Sequence, residues 1–86
     1  MKELKETVAL MQSADYKERF AAEYYQLETR YLKLKAMVEK WDNGTLEFTP
    51  TCPREIYDIQ LKHMKGYLEC LEERADIEKV ELTKSI

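Results

Sequence analysis

The chain has 86 residues, of which 36% are charged and 44% hydrophobic, and carries a formal net charge of −3. That length makes one domain, near the size at which a single core is marginal, and the composition is too apolar for disorder. The acidic balance argues against a general DNA or RNA binder, which needs a basic excess, but leaves room for a small anion held by a few local cations. No run of 18 apolar residues offers a membrane span, and no secretory h-region opens the chain. The two cysteines, Cys52 and Cys70, lack C-x-x-C spacing, so a cytoplasmic location with reduced thiols is expected. Cys70 falls mid-helix, where it is expected to be a small buried apolar residue.

In chain order, residues 1–14 are predicted to form a short amphipathic helix with Leu4, Val8 and Met11 on one side. Asp15 is expected to cap the next helix, with Glu18 as the reciprocal half of a capping box. A long helix follows over 15–42. Its main stripe is Phe20, Tyr24, Leu27, Tyr31, Leu34, Val38 and Trp41, whose alternating steps of four and three keep one face against a partner. A second stripe, Ala22, Tyr25, Thr29, Leu32 and Ala36, runs beside it. The helix is expected to stop at Asp42-Asn43-Gly44, where Asn or Gly can turn left-handed.

Residues 43–52 read as an extended connector. Phe48 is expected to tuck under the helix ends, and Pro50 keeps Thr49 out of helical geometry. Pro53 suits the first turn of a second long helix over 53–79, with Cys52 or Thr51 at the cap. One stripe of that helix is Tyr57, Leu61, Met64, Leu68, Leu71 and Ala75; another is Ile56, Ile59, His63, Tyr67, Cys70 and Ile77. Gly66, which costs about 1 kcal/mol relative to Ala in a helix, is expected to mark a close helix approach. Each long helix should span about 39 Å, and the tail 80–86 should fray.

The fold class is therefore all-α: one domain over 1–86, a short N-terminal helix followed by a long antiparallel helical hairpin. A hairpin closes only one pair of stripes. The second pair predicts assembly into a symmetric oligomer with function between protomers.

The polar face of the second helix (Asp58, Lys62, Lys65, Glu69, Glu72, Glu73, Asp76) is an ordinary wetted stripe of mixed sign. The first helix instead carries Tyr16, Arg19, Glu23, Gln26, Arg30, Lys33 and Lys40 along one side, with Met37 among them. An aromatic for a base and cations for a phosphate are what nucleotide recognition needs. The same stripe also reads as a solvated face with pairs such as Arg19–Glu23. His63 is expected in the core or at an interface. There is no G-x-S-x-G, H-E-x-x-H, P-loop or G-x-G-x-x-G motif, and no sheltered carboxylate pair. No enzyme is expected, and no metal or other cofactor.

Two runs carry a resemblance. Arg19, Glu23, Leu27, Arg30, Lys33 and Leu34 fit R-x-x-x-E-x-x-x-L-x-x-[KR]-x-x-K-L. Gln60, Met64, Tyr67, Leu71 and Arg74 fit L-x-x-Q-x-x-x-M-x-x-Y-x-x-x-L-x-x-R-I, with Tyr57 at its first position and Ile77 displaced from its last. Over residues 15–79 the chain resembles the helical-hairpin domain shared by phage anti-CBASS nucleotide sponges and Thoeris anti-defence sponges. That resemblance implies a non-catalytic protein, often hexameric, in the cytoplasm of an infected bacterial host. It would bind cyclic di- or trinucleotides or cyclic ADP-ribose isomers, and would bind neither long nucleic acid nor membrane. It further implies a tyrosine early in the first long helix that stacks on a base and a cation farther along that meets the phosphate. Tyr16 is the candidate for the first role, with Tyr24 and Tyr25 also available. Arg30 or Lys33 is the candidate for the second, with Arg19 and Arg74 as supporting cations. The connector TLEFTPTCPRE departs from the family loop and could shape the ligand range through Thr49, Thr51 or Arg54. The competing reading is a structural or adaptor hairpin that oligomerises and takes no small molecule. A transcription regulator would need a basic recognition helix that is not present.

Overall fold

The computed structural model describes residues 2–83 and is helical throughout its regular parts. A 3-10 turn over Leu4–Thr7 runs into a one-turn helix, α1 (Val8–Met11); α2 spans Tyr16–Asp42 and α3 spans Arg54–Glu78. The hairpin of α2 and α3 forms over the ranges expected to within a residue or two. Its seam is the pair of main stripes: Phe20, Tyr24, Tyr31, Leu68, Leu71 and Ala75 are buried in one core, with Leu27, Leu61 and Met64 packed against it. Leu68 and Leu71, almost wholly covered, each contribute about 1.5–3 kcal/mol by leaving water.

The helix ends show how local chemistry sets the boundaries. The Asp15 carboxylate accepts from the Lys17 backbone N–H at 2.9 Å, as an N-cap should. The reciprocal half differs from the expected capping box. Asp15 N–H donates to the Ser13 hydroxyl, and that hydroxyl donates to Glu18, so Ser13 relays the bond. At the far end Gly44 takes φ +74°. Its N–H reaches the Trp41 carbonyl and that of Thr45 reaches Lys40, the paired bonds of a Schellman motif. Pro53 itself, not Cys52 or Thr51, occupies the cap of α3, in an extended conformation and without a side-chain cap bond. Lacking an N–H, it loses nothing at a position where that donor would be orphaned.

The N-terminal segment differs most from expectation. Because it begins as a 3-10 turn, residues three apart eclipse, and Leu4, Thr7 and Leu10 face inward while Val8 and Met11 stay exposed. Thr7 is fully buried; its hydroxyl donates to the Leu4 carbonyl and accepts from Gln26. This segment covers the second stripe of α2: Ala22, Tyr25 and Thr29 are buried, and Thr29 donates to the Lys2 carbonyl. Only the distal end of that stripe, Ala36, is exposed.

The tail, in so far as it is described, does not fray. Lys79 turns left-handed at φ 58°, which lets the Val80 N–H reach the Ala75 carbonyl at 2.8 Å and buries the Val80 side chain. Leu82 packs on the core, and Thr83 N–H donates to the Tyr25 hydroxyl. Residues 84–86 of the expected fraying tail lie outside the described residues.

The second stripe of α3 is left largely uncovered among the described residues. Ile56, Ile59, Tyr67 and Ile77 are exposed large apolar side chains, and His63 and Cys70 on the same face are exposed as well. Cys70 is thus not buried as expected, and His63 is not in the core, because among the described residues no apolar side chain packs over this part of the face. Phe48 is also exposed, not tucked under the helix ends. Gly66 has open space where a Cβ would stand, so it marks no close approach within the chain. Among the described residues no helix is long and apolar enough to cross a membrane.

Candidate functional site

Tyr16 opens α2, and the Asp15 cap fixes the angle at which its ring leaves the helix. Nearly half of that ring is exposed. The two alternative tyrosines are both spent on the fold. Tyr24 is fully buried and donates to Glu72 at 2.8 Å, and Tyr25 supports Thr83. Burial and the neighbouring carboxylates Glu72 and Glu28 push the Tyr24 hydroxyl far above its ordinary pKa, so it stays protonated. Glu28, itself fully buried, carries no sign in the sequence that would set it apart from the exposed acids around it.

On the same side of the seam α3 presents Arg74. Its guanidinium carbon lies 4.7 Å from the centroid of the Phe20 ring, and its Nε–H donates to Glu78 at 2.9 Å. The bond to Glu78 chiefly, with the charges of Glu78 and Glu23 and the nearby Tyr16, raises the Arg74 pKa above its ordinary value. Glu23 accepts from the hydroxyl of Tyr67, whose ring is about as exposed as that of Tyr16. Two half-exposed rings, a stacked guanidinium and an oriented carboxylate therefore share one face. The sequence placed Glu23 on the stripe of Tyr16 and Tyr67 in the motif of Arg74, but named neither, nor Phe20, as a site residue beside them. Tyr67 and Arg74 stand seven residues apart, the repeat that keeps two side chains on one side of a helix, and that spacing could have signalled the pair.

The other candidates fall elsewhere. Arg19 donates to the Ser13 carbonyl at 2.7 Å, so it braces the turn before α2 rather than pairing with Glu23. Arg30 and Lys33 are exposed on α2 with no ion pair among the described residues. Fourteen residues of helix put Arg30 about 21 Å along the axis from Tyr16. The connector lies farther still. Arg54 is committed there, bridging Asp42 and Asp58 and lying 5.9 Å from the Trp41 ring centroid. Thr49 and Thr51 are exposed at that same distant pole.

Concavities among the described residues occur away from the Tyr16–Arg74 face, one of them, of about 230 Å³, at the connector between Lys40 and Phe48. One of about 360 Å³ lies beneath the chain ends, between Lys2, Lys17 and Tyr25. One of about 310 Å³ lies across the seam, between Tyr31, Lys35 and Lys65. In these last two the tyrosine is more than nine-tenths buried, so neither offers a ring face to a base. The Tyr16–Arg74 face is open and aromatic but unwalled.

The sequence model of the Sequestin family matches residues 14–77, which takes in the whole of this face and nearly all of the hairpin. The chain belongs to the Sequestin family. No curated protein and no solved structure matches it. The matched span begins just before the Asp15 cap and ends at Ile77, so it leaves out the N-terminal 3-10 turn and the Val80–Thr83 strap. In this Sequestin chain those flanking pieces serve the fold, and the candidate face lies wholly within the family's hairpin.

Proposed function

We propose that this Sequestin protein binds and sequesters cyclic oligonucleotide or cyclic ADP-ribose signals without cleaving them, as a phage countermeasure in the cytoplasm of an infected bacterial host. The observation that carries the reading is the clustering of Tyr16, Tyr67 and Arg74 on one exposed face. Rings take the base by stacking, and a guanidinium takes the phosphate with forked donors. The family name is compatible with sequestration. A sponge needs only tight ground-state contacts, and nothing on this face is arranged as nucleophile and base.

The apolar stripe of α3 beside this face supports assembly, for which a hexamer is the proposed form. A second copy laid on Ile59, Tyr67 and Cys70 would cover that stripe. Tyr16 then stacks on the base, Arg30 or Lys33 of a neighbouring copy meets the phosphate, and Arg74 and Arg19 support it.

The exposed stripe also favours a second reading, an adaptor hairpin that takes a partner helix in its spare groove and no small molecule. Native mass spectrometry with cyclic di- and trinucleotides and cyclic ADP-ribose isomers separates the two. A closed oligomer that gains a fixed number of ligands, each recovered intact, supports the sponge. A protein that ignores the whole panel ends that reading. In the sponge, Arg30→Glu leaves assembly intact and abolishes uptake; in the adaptor it changes nothing.

A further inference from the structure

A carboxylate in the middle of a phosphate-binding face is a liability unless it contacts something other than phosphate. Glu23 stands in that position. It lies close enough to Arg74 to act on its charge, as Tyr16 also does, and is anchored by the hydroxyl of Tyr67. That bond fixes where the carboxylate points without exhausting it. Two carboxylate oxygens offer about four acceptor sites, and the Tyr67 hydroxyl occupies one.

We infer that Glu23 is a specificity-determining residue that selects guanine, accepting the two parallel N–H donors of its Watson–Crick edge while Tyr16 stacks on the same base. The inference rests on the sponge reading of this face. Guanine is the base whose ring N–H and exocyclic amine lie side by side, matching the spacing of carboxylate oxygens. Adenine presents an amine beside a bare ring nitrogen, whose lone pair would face a carboxylate oxygen with no proton between them. Cytosine and uracil also set a donor beside an acceptor. A face carrying only cations and rings would take any cyclic dinucleotide, because stacking tolerates every base. An oriented acceptor adds discrimination, since a base lacking the donors leaves the carboxylate desolvated and unanswered.

Isothermal titration of the full chain with cyclic di-GMP, cyclic di-AMP and the inosine analogue, which keeps the ring N–H but lacks the amine, tests this directly. Wild type should bind the guanine ligand roughly ten- to a hundred-fold tighter than the adenine ligand, with inosine between them. Glu23→Gln keeps an oxygen to accept from Tyr67, so the hairpin should survive. It should bring guanine and adenine affinities to within about threefold by weakening guanine and leaving adenine unchanged or tighter. Tyr67→Phe, which frees the carboxylate from its anchor, should narrow the preference in the same direction. Equal wild-type affinity for guanine and adenine ligands, or an equal loss of both in Glu23→Gln, overturns the inference and leaves the sponge standing. So does uptake of cyclic ADP-ribose with refusal of the guanine ligand. Refusal of every ligand overturns both.

Discussion

The guanidinium of Arg74 lies over the ring of Phe20 at 4.7 Å and gives its Nε–H to Glu78 on the next turn. It is held from below by a buried aromatic and from one side by a carboxylate. Four of its five N–H donors remain for a ligand, and their direction is already set. This differs from a free surface arginine, which must lose rotamer entropy on each binding event.

Arg74→Ala should therefore weaken uptake of cyclic nucleotides roughly ten- to a hundred-fold, the loss expected when charge-assisted hydrogen bonds disappear. The hairpin should persist, because an exposed pair four residues apart on a helix and one exposed cation–π contact together stabilise by only about 1 kcal/mol: the Tm should fall by no more than about 8 °C. Titration beside a thermal melt checks both halves.

The uncovered stripe of α3 makes its own prediction. Ile59 is half exposed and lies outside the Tyr16–Arg74 face. Ile59→Lys should leave the helical circular dichroism of the hairpin unchanged and split the proposed oligomer, because burying a lysine without a partner at a contact between copies is costly. Light scattering across a concentration series reads the change. A mass that does not move would show that copies do not meet on this stripe.

Two single-residue changes should stabilise the chain. Gly66→Ala removes backbone freedom from the unfolded state and fills open space, for a gain of roughly 0.5–1 kcal/mol. Lys79→Gly relieves a side chain from the left-handed region at φ 58° and should gain about 1 kcal/mol. The Lys79 carbonyl stays in place for the Lys17 ammonium. Chemical denaturation should show both as a higher midpoint at unchanged slope.

Acid should also loosen the pole farthest from Tyr16. The Asp42 carboxyl is held below its ordinary pKa of 3.8 mainly by hydrogen bonds from Arg54, aided by that residue's charge. A lowered folded-state pKa means that the stability is complete above the unfolded value and is lost as pH falls through the folded value below it. In melts from about pH 7 to about pH 2.5, Asp42→Asn, which already lacks the pair, should therefore lose less Tm than wild type over the acid limb.

The hairpin was legible because its signals are local. The Asp15 cap, the Gly44 stop and a strict apolar period each act within a turn or two of helix. The N-terminal segment was not, since a 3-10 turn changes the repeat from 3.6 to 3.0 residues and so brings Thr7 inward instead of Val8. The strap was hidden for another reason. Its turn is made by Lys79, which has no business at positive φ by its own preferences and is held there by the burial of Val80. Of the candidate site, Tyr16, Arg19, Arg30, Lys33 and Arg74 could be read from the stripe and the motif. The Glu23–Tyr67 bond could not, because it joins residues 44 positions apart, and only tertiary packing brings them together.

Tyr25 touches both ends of the described chain: the Lys2 ammonium lies 5.2 Å from its ring centroid, and its hydroxyl accepts from Thr83. Lys2 and Thr83 thus meet at one spot, on the second stripe of α2 and away from the α3 stripe. A few flexible residues would join those ends into a circle, and the exposed connector around Phe48 could be cut to supply new ones. The face built by Tyr16, Glu23, Tyr67 and Arg74 would pass through that rewiring untouched, since neither the seam nor the splice contributes a residue to it.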